Sequence, residues 1–165
     1  MIRKAFPKQV FWGCVVACAL SLVAVGVLLA GEGAEPVAKP MVEETEWPGV
    51  RAELTSVERT SGDMLTIKFK YTNTGSAKAD IARLGQYSHD NVVEHVYYID
   101  AKSKKKYLVV KDAEGKALGT NLKYFALAPG ESKAAWAKFP EPPADVQKIS
   151  VYLPGAPPFE DVPIR

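Results

Sequence analysis

The segment "YSHDNVVEH" holds both histidines of the chain, His89 and His95, with Asp90 and Glu94 beside them. Imidazole and carboxylate together suit zinc or copper. The spacing matches no standard ligand pattern, however, and no cysteine lies near enough in the sequence to complete a set. The first expectation is therefore a polar loop leading into a strand that begins at His95. The alternative is a copper or zinc site using His89 and His95. Ser88 or Ser132 could be combined with either histidine as nucleophile and base, but no G-x-S-x-G elbow or oxyanion motif accompanies them. Asp100 and Asp112 flank a stretch that reads as a hairpin, where they suit turn capping better than paired acid–base work. No phosphate loop or dinucleotide fingerprint occurs; Gly115 and Gly119 read as isolated turn glycines. The expectation is a chain that is not an enzyme, with no catalytic residues, no resident metal and no cofactor.

Two further groups could bind rather than react. Lys102, Lys104, Lys105 and Lys106 form a cluster. It reads as a solvated hairpin tip, or as a contact for anionic lipid headgroups or acidic glycans. Tyr97, Tyr98, Tyr107, Tyr124 and Tyr152 suit a core or a binding face. Tyr97 and Tyr98 are adjacent and so face opposite sides of a strand, which sends one of them outward. Trp136 is expected between two sheets.

The elements that would position these groups are strands. Val50, Ala52 and Leu54 alternate with Arg51, Glu53 and Thr55, and Ser56-Val57 breaks the phase as a bulge would. In "MLTIKFKYTNTG", Leu65, Ile67, Phe69 and Tyr71 share one face. Val96–Asp100 and Lys106–Lys111 read as a hairpin pair, and Asp112–Lys116 as a turn. Ala128-Pro129-Gly130-Glu131 fits a type II turn before the strand "SKAAWAKF". Ile149, Val151 and Leu153 alternate in the next strand. Only Ala77–Gln86 could hold a short helical turn.

Proline completes the pattern. Pro140, Pro142, Pro143, Pro154, Pro157 and Pro158 fall just outside the alternating runs, and only Pro163 lies within one. Proline donates no ladder hydrogen bond, so Phe159–Ile164 reads as an edge strand. Six to eight short strands in about 115 residues predict an antiparallel β-sandwich, with a small barrel as alternative. A helical bundle and a dinucleotide-binding α/β fold are excluded.

The N-terminal part is of another kind. Arg3, Lys4 and Lys8 precede the uncharged run "VFWGCVVACALSLVAVGVLLA". Basic, apolar, then small and polar is the order of an export signal or an N-terminal membrane anchor. The run reaches the roughly 20 residues needed to span a bilayer, and Cys18 stands in a loose lipoprotein-like context. Residues 1–34 are assigned to this signal or anchor helix, 35–48 to a flexible linker and 49–165 to the β domain. Both cysteines, Cys14 and Cys18, lie in the leader, so the domain must hold together by its core. Four of the 21 bases and two of the 19 acids precede Met41, leaving 17 of each. That neutrality removes any nucleic-acid argument.

At "YYIDAKSKKKYLVVKDAEGK", "LAPGESKAAWAKFPEPP" and "VYLPGAPPFEDVPI" the chain resembles exported bacterial immunoglobulin-like domains of unknown function. Similar modules precede outer-membrane-protein-A-type domains in some envelope proteins. The resemblance covers roughly Val50 to Ile164 and implies an immunoglobulin-like sandwich of about 7 strands. The chain ends at Arg165 without a peptidoglycan-binding domain, so it carries no expectation of cell-wall attachment. The expected function is an extracytoplasmic binding module of the cell envelope, membrane-tethered or secreted. Its partner would be another envelope protein or an unidentified ligand. The alternative is a periplasmic metal-handling protein using His89 and His95.

Overall fold

The computed structural model describes residues 41–81 and 90–165. Residues 1–40, where the signal or anchor was expected, lie outside the described residues; of the helical turn expected over Ala77–Gln86, Ala79–Asp80 is instead a short strand and residues 82–86 lie outside the described residues. Within them the chain is all-β. The strands are β1 (Met41–Glu44), β2 (Val50–Thr60), β3 (Met64–Asn73), β4 (Ala79–Asp80) and β5 (Tyr97–Asp100). They continue with β6 (Lys106–Leu108), β7 (Ala126–Leu127), β8 (Ser132–Pro140), β9 (Lys148–Tyr152) and β10 (Phe159–Pro163). There are two four-stranded sheets, β1-β2-β3-β8 and β10-β9-β5-β6, and a separate two-stranded β4-β7 pair. Every pairing is antiparallel.

β3 shows why the pattern folds this way. Leu65, Ile67, Phe69 and Tyr71 are all buried, whereas Lys68 between them is exposed. In β2 the phase break is a real bulge. Leu54 lies opposite Phe69 and Ser56 opposite Lys68, so Thr55 is the extra residue. The insertion turns Val57 back inward opposite Ile67, where it is 3% exposed.

The inner faces of both large sheets belong to one hydrophobic cluster. Phe139 of β8 meets Tyr98 of β5 edge-on, with ring centroids 5.5 Å apart. Two buried hydroxyls close the remaining polar gaps. Tyr71 Oη donates to the Pro154 carbonyl at 2.8 Å, and Tyr98 Oη to that of Pro140 at 2.7 Å. The flanking prolines thus supply acceptors to the core at strand ends. β10, with Pro163, is an edge strand as its sequence predicts.

Three expectations need correction. Met41–Glu44 is not linker but β1, paired with Arg51–Leu54, and Trp47 is 2% exposed. Thr45 makes the turn. Its backbone N–H donates to the Val50 carbonyl at 3.0 Å, and its hydroxyl donates to the same oxygen at 2.8 Å. Proline and glutamate hide this hairpin in the composition.

The run Lys106–Lys111 is not one strand. β6 stops at Leu108, and the chain then crosses to the open edge of β8. Val110 N–H donates to Lys138 O at 2.9 Å, and Leu118 N–H to Val110 O at 2.8 Å. An edge with unmet ladder groups attracts chain, and this segment covers it.

Gly119 is not a turn glycine but a close approach of two backbones. A Cβ there would stand 2.6 Å from the Trp136 carbonyl oxygen and 2.7 Å from Val93 Cγ1. Gly119→Ala is expected to cost about 1–3 kcal/mol of unfolding free energy by urea titration, because backbone on the β8 side must move.

Candidate functional site

The histidine segment forms a cap. His89 and Ser88 lie outside the described residues. His95 ends a 3-10 turn, Val92–His95, instead of opening a strand. Asn91 starts that turn: its Oδ1 accepts from Val93 N–H at 3.3 Å and from Leu122 N–H at 2.8 Å. That second bond fastens the segment to the loop before β7, and it explains why the chain is helical here. The acids beside the histidine go separate ways. Asp90 Oδ2 is 3.4 Å from His95 Nε2, while Glu94 pairs with Lys111 at 2.8 Å. Among the described residues no group of three or more His, Cys, Asp or Glu side chains converges on one point.

Ser132 is spent on the sheet, its hydroxyl 2.8 Å from that of Thr72 across β3 and β8. Asp112 Oδ1 accepts from the N–H groups of Glu114 at 3.0 Å and Lys116 at 2.8 Å. Asp100 is 1% exposed and accepts from Ser103 Oγ at 2.5 Å and Lys102 N–H at 2.9 Å. Both aspartates cap turns.

The Ser103 hydroxyl, aided by the backbone N–H groups of Lys102 and Ser103, holds the Asp100 carboxyl below its ordinary 3.8. A depressed carboxyl adds stability that is full above the unfolded value, about pH 4, and is lost as pH falls through the folded value. Asp100→Asn should therefore flatten the fall in melting temperature below about pH 4. An unchanged acid limb would show that this turn carries no such linkage.

The lysine tip is largely answered from within. Lys102 pairs with Asp145. Lys105 Nζ sits 4.7 Å from the Tyr107 ring centre and Lys106 Nζ 3.6 Å from that of Tyr97. Tyr98 is inward and Tyr97 half-buried on the outer face, as adjacency requires. Tyr97 stacks on Tyr152 at 4.5 Å and 10°. The structure brings Lys106, Tyr97 and Tyr152 into one outward row, with Leu108 59% exposed beside it.

Trp136 overturns its expectation: it is 42% exposed on the outer face of β8. The strand phase carried the signal. Ala135, Ala137 and Phe139 are buried, so Trp136 shares the opposite face with Ala134 and Lys138. Tyr124 is the other outward aromatic, 75% exposed at φ +52 between buried Leu122 and Phe125. A bulky residue at positive φ is strained, and such strain clusters at functional positions.

What the described residues define is an all-β protein of antiparallel sheets with aromatic outer surfaces. Comparison of the chain with protein-family models, with curated proteins and with solved structures finds no match.

Proposed function

We propose that the chain is a non-enzymatic extracytoplasmic binding module of the bacterial cell envelope, built as an immunoglobulin-like β-sandwich of the exported kind it resembles. It is held to the membrane, or directed across it, by residues 1–34, and its partner is another envelope protein or a ligand. One observation carries the binding part. The reactive side chains of the described loops cap turns or form ion pairs, while Trp136, Tyr124 and Leu108 are left facing solvent. Large exposed side chains on a rigid sheet suit recognition. The basic and apolar N-terminal sequence supports the location.

Fractionation with protease protection tests it. The expected result is full-length or processed protein in the membrane or extracytoplasmic fraction, digested when protease reaches that side. Recovery in the cytosol would defeat the reading.

A second reading, copper or zinc handling through His89 and His95, has the Asp90–His95 contact in its favour. The engagement of Glu94 by Lys111 weighs against it. Melting with excess metal separates the two. The binding module predicts no shift, whereas saturation at about 100-fold over Kd would add about 2.7 kcal/mol.

A further inference from the structure

Trp136 has the surroundings of a ligand subsite. Ala134, two residues earlier on the same face, leaves one side of the indole open over a groove of about 260 Å³. Thr55, Lys68 and Lys70 form the rest of its rim. The strand beneath is fixed on both edges. β3 pairs with it on one side, Lys68 opposite Trp136. On the other, Thr120 N–H donates to Trp136 O at 2.9 Å and Thr120 Oγ1 accepts from Trp136 N–H at 3.1 Å. A ring presented from so fixed a backbone loses little freedom on binding.

Toward the described residues the ring is also uncommitted. Among the described residues no ring or lysine ammonium covers the indole, and its Nε1–H meets no acceptor. Tyr97, by contrast, already carries Tyr152 and Lys106.

Charge decides the class of ligand. Lys68 pairs with Glu58 at 3.2 Å and Lys70 with Glu53 at 2.9 Å. Each of the two rim lysines is therefore paired with a carboxylate from beyond the groove lining, so the rim offers no unpaired cation. An anion would have to separate these pairs, whereas a polyol can bridge them. An apolar ring and groove floor bordered by charge-paired lysines match a pyranose, whose C–H face lies on an indole while its hydroxyls reach the Lys68–Glu58 and Lys70–Glu53 pairs. We infer that the Trp136 groove binds a neutral pyranose unit of a glycan. The inference rests on the binding-module reading and names its ligand class.

Calorimetric titration of the full chain, in a detergent without a sugar headgroup, tests it. The probes are chitotriose, cellotriose and maltotriose, with a heparin tetrasaccharide as the anionic comparison. At least one neutral trisaccharide is expected to saturate. Trp136→Ala should weaken it at least about tenfold while moving the melting temperature by no more than about 2 °C, since the side chain is on the surface. Three results would overturn the inference: no neutral sugar bound at about 10 mM, equal affinity in Trp136→Ala, or tighter binding of the heparin fragment. None of these touches the broader reading, which falls only with a cytosolic location.

Discussion

Replacing Trp47 by alanine is expected to lower the unfolding free energy by about 3–5 kcal/mol, the range for truncating a large buried aromatic. The ring is 2% exposed, its centroid 5.4 Å from that of Tyr71. It also lies against Gly155, where a Cβ would come within 2.8 Å of Trp47 Cζ2. One side chain thus ties the β1–β2 turn to the loop after β9. Urea denaturation measures the loss, and Val42→Ala serves as control, because Val42 is 49% exposed on β1 and should change stability by less than about 0.5 kcal/mol. Equal, small effects at both positions would mean that the first hairpin is not part of the cooperative unit. A chain beginning at residue 49 should be destabilised further still, since it loses the β1 ladder as well as the ring.

Arg59 is the second position of large effect. From the end of β2 its guanidinium donates to Glu141 and to three carbonyls of the proline-rich turn. These are Pro142 O at 3.0 Å, Pro143 O at 3.2 Å and Val146 O at 2.9 Å. Only about a quarter of the side chain meets solvent, at 26% exposed. Hydrogen bonds from a charged donor contribute about 1.5–3 kcal/mol each, net of the exchange with water, and bonds sharing one partly exposed guanidinium do not add in full, so Arg59→Ala should cost about 2–4 kcal/mol in total. Arg59→Lys should recover only part of it, because an ammonium cannot fork across several acceptors. Limited proteolysis provides an independent check, with cleavage near residues 141–147 rising in Arg59→Ala. Wild-type resistance in that variant would show that the turn holds itself.

A good part of the fold was legible along the chain. The single inward face of Leu65, Ile67, Phe69 and Tyr71, the bulge near Ser56 and the Ala128–Glu131 turn all follow from local chemistry. Gly130 has φ +77, and Glu131 N–H reaches Ala128 O at 3.0 Å. Asp100 and Asp112 also follow, because an aspartate at a turn caps nearby N–H groups whatever surrounds it.

The outward surfaces were less legible. Trp136 reads as core by type, and its exposure follows only once the strand phase is given priority over hydrophobicity. The ion pairs that engage the lysines of its groove join β2 to β3 across the ladder, through residues 10 and 17 positions apart in sequence.

Alternation, turn residues and proline placement therefore determined by themselves that this is an antiparallel β protein and which side of β2 and β3 is buried. Each of these acts over a few neighbouring residues. Tertiary structure alone decided that Met41–Trp47 belongs to the fold, that residues 109–120 cover the edge of β8, and which aromatic side chains are left facing solvent. Those outcomes depend on which backbone edges and which patches of apolar surface stay unmet after the sheets have formed, and that is a property of pairings between distant segments.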